Sequence, residues 1–201
     1  MPKKEHKFAR WMRKRWNPNG LPSPTVIPGF SRDNLDRLLR RLRLNKGAEI
    51  GVNFCEHSKR LCEANPHLEL LCVDVWQQYD EDRRSHNPRY QARAYEASKA
   101  TLEKHNATLV KAFSMDAVRD VPKESLDFVY IDAAHDFDHC MQDIIEWSKR
   151  VRRGGVVSGH DYYRFRFAGV VDAANAYTKA HRIKHWYVTS DRMPSFFWVK
   201  P

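Results

Sequence analysis

Residues 126–163 read LDFVYIDAAHDFDHCMQDIIEWSKRVRRGGVVSGHDYY. Leu126–Ile131 is a short apolar run rich in aromatic and β-branched residues, the composition of a buried strand. From Asp138 to Val151 apolar residues return at helical spacing, and Gly155–Ser158 is again short and apolar. A helix between two apolar strands predicts a parallel crossover pair. Ligands in such sheets bind at the carboxyl ends of strands. The first strand there ends in Asp132 followed by His135, and the second in His160 and Asp161. Two central strands therefore each deliver an acid and an imidazole to one edge of the sheet.

The same alternation extends in both directions. Ser31 is placed to cap a helix over 32–43, whose leucines form one face and whose arginines form the other. Strands are expected at 48–52, 68–75 and 108–112, and helices at 57–64, 90–105 and 170–181. Two final strands, 184–189 and 195–199, are joined too closely for a crossover and should pair antiparallel. The fold class is thus α/β, Rossmann-like and doubly wound, with a mostly parallel seven-stranded sheet and an antiparallel C-terminal strand. Residues 17–30, rich in Pro and Gly, read as an irregular connector. The chain divides into a basic extension and connector, 1–30, and one domain, 31–201.

Composition excludes several classes. No run of apolar residues is long enough to span a membrane, and no apolar core follows the basic N-terminus to make a secretory signal. Four cysteines without a C-x-x-C pair point to reduced thiols and a cytoplasmic protein. The net charge is +10, of which residues 1–16 carry +6. That segment interleaves Phe8, Trp11 and Trp16 with its cations. It can touch phosphate backbones, remain a solvated arm, or form a helix that packs its aromatics on its own domain.

The remaining strand ends carry candidate cofactor chemistry. The first reads Glu49-Ile50-Gly51-Val52-Asn53-Phe54-Cys55-Glu56-His57-Ser58. Gly51 permits a sharp turn and close ligand approach. Phe54 and Cys55 stand where a dinucleotide fingerprint requires glycines, which disfavours NAD or FAD. The second strand ends Asp74-Val75-Trp76. Asp74 can accept both hydroxyls of a ribose, and Trp76 can line an adenine pocket. After the third come Ser114, Met115 and Asp116, which can hydrogen-bond and cover an adenine, or start a capped turn.

Taken together, Asp132-Ala133-Ala134-His135 and Gly154-Gly155-Val156 followed by His160-Asp161-Tyr162 resemble the D-x-x-H and G-G-V…H-D-Y motifs of a branch of class I methyltransferases dependent on S-adenosylmethionine (SAM). The resemblance spans about residues 31–199. It implies SAM contacts at Glu49, Gly51, Asn53, Ser58, Asp74, Trp76, Ser114, Met115, Asp116 and Asp132. By analogy with metal-dependent O-methyltransferases it implies a divalent metal held by Asp132, His160 and Asp161. His160 stands where catechol-type enzymes have an Asp, and would favour a transition metal. Cys55 stands where the family has a glycine facing the methionine part of the cofactor.

The activity this implies is O-methylation of a small-molecule hydroxyl, with His135, His160 and Asp161 as catalytic residues and Gln77–Pro88 and Tyr162–Phe167 shaping the acceptor pocket. Deprotonation would fall to the metal or to His135 or His160. Two other readings remain: a nucleic-acid methyltransferase gripping its substrate through residues 1–16, and a non-catalytic SAM-binding or partner-binding subunit.

Overall fold

The structure, a computed structural model, describes residues 5–77, 87–166 and 168–201. An N-terminal helix α1 (Lys7–Trp16) and strand β1 (Thr25–Val26) precede α2 (Arg32–Arg41). β2 (Lys46–Ile50), α3 (Glu56–Ala64), β3 (Glu69–Asp74), α4 (Pro88–Leu102) and β4 (Ala107–Lys111) follow. After the short α5 (Ser114–Ala117) come β5 (Leu126–Ile131), α6 (Phe137–Arg150), β6 (Val151–Gly159), α7 (Val170–Ala180), β7 (Tyr187–Val188) and β8 (Phe196–Val199).

The sheet has eight strands in the order β1-β7-β8-β6-β5-β2-β3-β4. Only β8 runs antiparallel to its neighbours, β6 and β7. The expected seven-stranded count is corrected by β1, which comes from the presumed irregular connector and pairs parallel with β7. A two-residue strand between prolines has no readable period, and the sheet edge tolerates the prolines that flank it. Chain order reverses between β2 and β5, so the binding crevice of a doubly wound sheet falls at their carboxyl ends.

Alternation along the strands feeds two core layers. Phe128 and Tyr130 of β5 and Phe197 and Val199 of β8 pack beneath α1–α4. Val129, Ile131, Phe196 and Trp198 face the opposite way, toward Ile144 and Trp147 of α6 and Ala173 and Ala174 of α7.

The basic N-terminal segment is a helix against this core. Phe8, Met12 and Trp16 recur at i, i+4 and i+8 and share one face. Met12 is fully buried, and Trp16 meets Phe30, Tyr187 and Phe197 edge-on. Ile27, just beyond β1, is buried in the same layer. The described part of 1–30 thus shares its core with 31–201, and removing residues 1–16 would strip that core as well as the charge. We expect Met12→Ala to lower stability by about 2–5 kcal/mol in urea unfolding. A loss below about 0.5 kcal/mol would show that α1 is not integral to the fold.

Candidate active site

The helices run antiparallel to the strands they follow, so the first turn of a helix and the end of a strand share one edge. Four groups gather there from β5, β6 and the turns after them. His135 Nε2 lies 2.8 Å from Asp161 Oδ2. His160 Nδ1 lies 3.1 Å from Asp161 Oδ1 and 3.6 Å from Asp132 Oδ1. From the first turn of α2, Arg32 Nη1 approaches the other oxygen of Asp132 at 3.9 Å.

The two imidazoles differ in setting. His135 is 45 % exposed, whereas His160 is 10 % exposed. Burial opposes charge on His160, but the hydrogen bonds and charges of Asp132 and Asp161 outweigh it and raise the imidazole to about 9. For Asp161 burial works against ionisation, but hydrogen bonds from His135 and His160 hold its carboxyl well below the usual range. Asp161 adopts a left-handed backbone, φ 56°, unusual for a non-glycine residue and common at functional sites.

Among the described residues, the group with metal-ligand proximity is Asp132, His135 and Asp161, with one ligand atom from each within 4.8 Å of the others. This trio has His135 where the expected set has His160, whose Nδ1 lies against the two carboxylates.

Gly51, Asn53 and Asp74 meet where β2 and β3 end. Gly51 has φ 86°, and a Cβ there would collide with the carbonyl oxygen of Asp132, so glycine is required for the ends of β2 and β5 to approach. Asp74 Oδ2 accepts the amides of Val52 and Asn53, both at 2.8 Å, and Oδ1 accepts that of Trp76 at 3.1 Å. Trp76 is buried, donates Nε1–H to the Asn53 carbonyl at 2.9 Å, and packs on Tyr95.

Glu49 and Ser58 face inward. Ser58 donates to Glu49 Oε2, and His57 bridges Glu49 Oε1 at 2.8 Å and Asp36 Oδ1 at 3.2 Å. All four residues are buried. After β4, Ser114 donates to Asp143 and accepts from Trp147 Nε1 at 2.8 Å, Met115 is half-buried, and exposed Asp116 pairs with Arg119.

Residues 47–162 match the protein family described as methyltransferase domain, more than half of the chain. The chain belongs to this family. It is a SAM-dependent methyltransferase by that membership. A comparison with curated proteins finds no match.

Solved structures bear out the fold. A protein assigned as a caffeoyl-CoA O-methyltransferase from Staphylococcus aureus is 14 % identical with a TM-score of 0.62, covering 98 % of this chain and 93 % of that one. An O-methyltransferase from Bacillus cereus in complex with SAH is 14 % identical with a TM-score of 0.61, covering 100 % and 94 %. A precorrin-6y C5,15-methyltransferase from Geobacter metallireducens GS-15 is 16 % identical with a TM-score of 0.56, covering 88 % and 94 %.

The residues of this methyltransferase fit SAM in kind. Two carboxylates, Asp74 and Asp132, stand at the ends of β3 and β5 on either side of the Gly51 turn, and groups of this kind can accept hydrogen bonds from a diol or face a cationic group. Asp74 has acceptor capacity beyond its three amide bonds, whereas Glu49 and Ser58 act from behind the loop. Cys55 takes the left-handed conformation a glycine would favour, φ 56°, but its side chain is fully buried in the core beneath the helices. The expectation that it faces the cofactor is corrected: the backbone turn directs it into the core.

Sequence reading missed Arg32, Asp36 and His57. A first-turn position on a crossover helix was the available signal for Arg32. The expected acceptor segments 77–88 and 162–167 lie partly outside the described residues, at 78–86 and 167. No helix among the described residues is long and apolar enough to cross a membrane.

Burial opposes the charge on His57, but Glu49 and Asp36 raise it to about 9, against 6.5 in an unfolded chain. Its contribution to stability is complete below about pH 6.5 and is lost as pH rises through about 9. Substituting His57→Gln strands two buried carboxylates and should cost about 3–5 kcal/mol at pH 7. Melting curves should converge between pH 7 and 9.5; parallel wild-type and variant curves would contradict the assignment.

Proposed function

We propose that this methyltransferase methylates the hydroxyl of a small molecule, with His135 as general base and Asp161 as the residue that orients it. The observation that carries this reading is the 2.8 Å contact between His135 Nε2 and Asp161 Oδ2, with the imidazole half-exposed and the carboxylate largely enclosed. A carboxylate behind an imidazole fixes its tautomer and stabilises the cation formed when it takes a proton.

Bound SAM supplies an electrophilic sulfonium methyl. His135 accepts the acceptor hydroxyl's proton as the oxygen–carbon bond forms and the sulfur–carbon bond breaks. Asp161, held by His160 on its other oxygen, keeps the imidazole directed. Asp132 lies at the seam between the cofactor loop and this pair, its charge balanced by Arg32 and His160. Much of the rate comes from holding the reacting groups in line.

A second reading is favoured by the proximity of Asp132, His135 and Asp161. Two carboxylates and an imidazole suit a divalent transition metal. An ion held there would lower the pKa of a coordinated hydroxyl. It would use the same two residues, His135 and Asp161, that form the proposed general-base pair.

Calorimetric titration should show SAM binding that weakens about tenfold or more in Asp74→Ala, the effect of losing hydrogen bonds to a charged group. Unchanged affinity would remove Asp74 from the cofactor site. On an acceptor hydroxyl found by screening, His135→Gln should lower kcat about 10²–10⁴-fold with SAM affinity retained. Wild-type turnover should survive EDTA. Loss with EDTA and restoration by a divalent ion would replace the base with the metal reading, and full activity of His135→Gln without metal would defeat both.

A further inference from the structure

α1 and α2 present an outer face of nearly unbroken positive charge. On α1, Lys7, Arg10 and Lys14 lie at i, i+3 and i+7, opposite the stripe of Phe8, Met12 and Trp16. Arg15 is exposed beside them. On α2, the buried Leu35, Leu38 and Leu39 leave Arg37, Arg40 and Arg41 outward, and Arg43 follows. The helices touch where Arg41 stacks over Trp11 at 5.5 Å.

Counter-charges on this face are few. Glu5 is engaged by Arg13 and Arg10, Asp33 pairs with Arg60, and Asp36 is buried against His57. Among the described residues, Lys14, Arg15, Arg37 and Arg43 have no ion pair. Like charges at this spacing repel and destabilise a helix. A face retaining such repulsion, largely with arginines, has the composition of a phosphate-binding surface.

We propose that the outer face of α1 and α2 docks on the phosphate backbone of a nucleic-acid duplex, independently of sequence. What the face lacks identifies the partner. Single-strand binding relies on exposed aromatics that stack bases. Here Trp16 is packed among Phe30, Tyr187 and Phe197, and Trp11 lies under Arg41. An interfacial membrane helix would turn its apolar face outward. α1 turns that face into its own core, and no large hydrophobic residue of α1 or α2 is exposed. Cations without aromatics or an apolar anchor suit a duplex backbone, which needs charge alone.

This inference does not rest on the proposed methyl acceptor, because the cations it uses are none of the residues given a role in the reaction. The test is fluorescence anisotropy of a short mixed-sequence DNA duplex with the full chain, between about 50 and 200 mM salt. The quadruple variant Lys14→Gln, Arg15→Gln, Arg37→Gln, Arg43→Gln changes only exposed side chains, and its melting temperature and SAM affinity verify that it folds. The variant should bind at least about tenfold more weakly, and the slope of log affinity against log salt should shrink by about 3–4, near 0.9 per phosphate lost. Equal duplex binding by a folded variant would overturn the proposal. So would tighter wild-type binding to the matching single strand, or to phosphatidylserine vesicles, than to the duplex.

Discussion

Glu49, next to last in β2, carries a buried carboxyl group, and the local architecture follows from how that group is met. His57 and Ser58, the second and third residues of α3, close on it from one side, and Asp36 of α2 completes the bridge from the other. The loop between β2 and α3 is thereby clamped at both ends. Within it, Asn53 and Cys55 adopt left-handed backbone conformations that glycines would take without cost. A buried imidazolium between two carboxylates is an expensive arrangement in isolation. Here it replaces the flexibility of a glycine-rich turn with a fixed one, and Asp74 adds three amide contacts from the front.

The strand-end cluster repeats this charge balance in a more open setting. Asp132 lies between Arg32 and His160, and Asp161 lies between His160 and His135. Three segments, α2 and the turns after β5 and β6, contribute to one row of alternating basic and acidic groups, with its innermost imidazole enclosed and its outermost one half in solvent. That gradient of exposure gives the two histidines different chemistry: His160 is held as a cation that supports two carboxylates, while His135 remains accessible to a reactant.

Apolar runs ending in acids made the strands and their carboxyl ends legible, so Asp74, Asp132 and Asp161 could be placed at one edge before any coordinates. β1 was illegible because two residues between prolines carry no periodicity. The direction of side chains in the cofactor loop was also hidden. Left-handed backbone at Asn53 and Cys55 decides that Cys55 points into the core, and sequence spacing does not encode that turn. Arg32 looked like one more arginine on a solvated face; only the packing of α2 against β5 distinguishes it from Arg37.

The pairing of β1 with β7 has a consequence for how the chain is made. Thr25 aligns with Tyr187, and Trp16 rests on Phe197, contacts that join the first eighth of the sequence to the last tenth. Such long-range contacts close slowly because the loop entropy must be met before they form. While the protein leaves the ribosome, β2 to β6 and their crossover helices can assemble. The apolar side of α1 and one flank of β6 are covered by residues of β7 and β8. The aromatic stripe of the cationic α1 is therefore covered by residues that lie more than 150 positions further along the sequence.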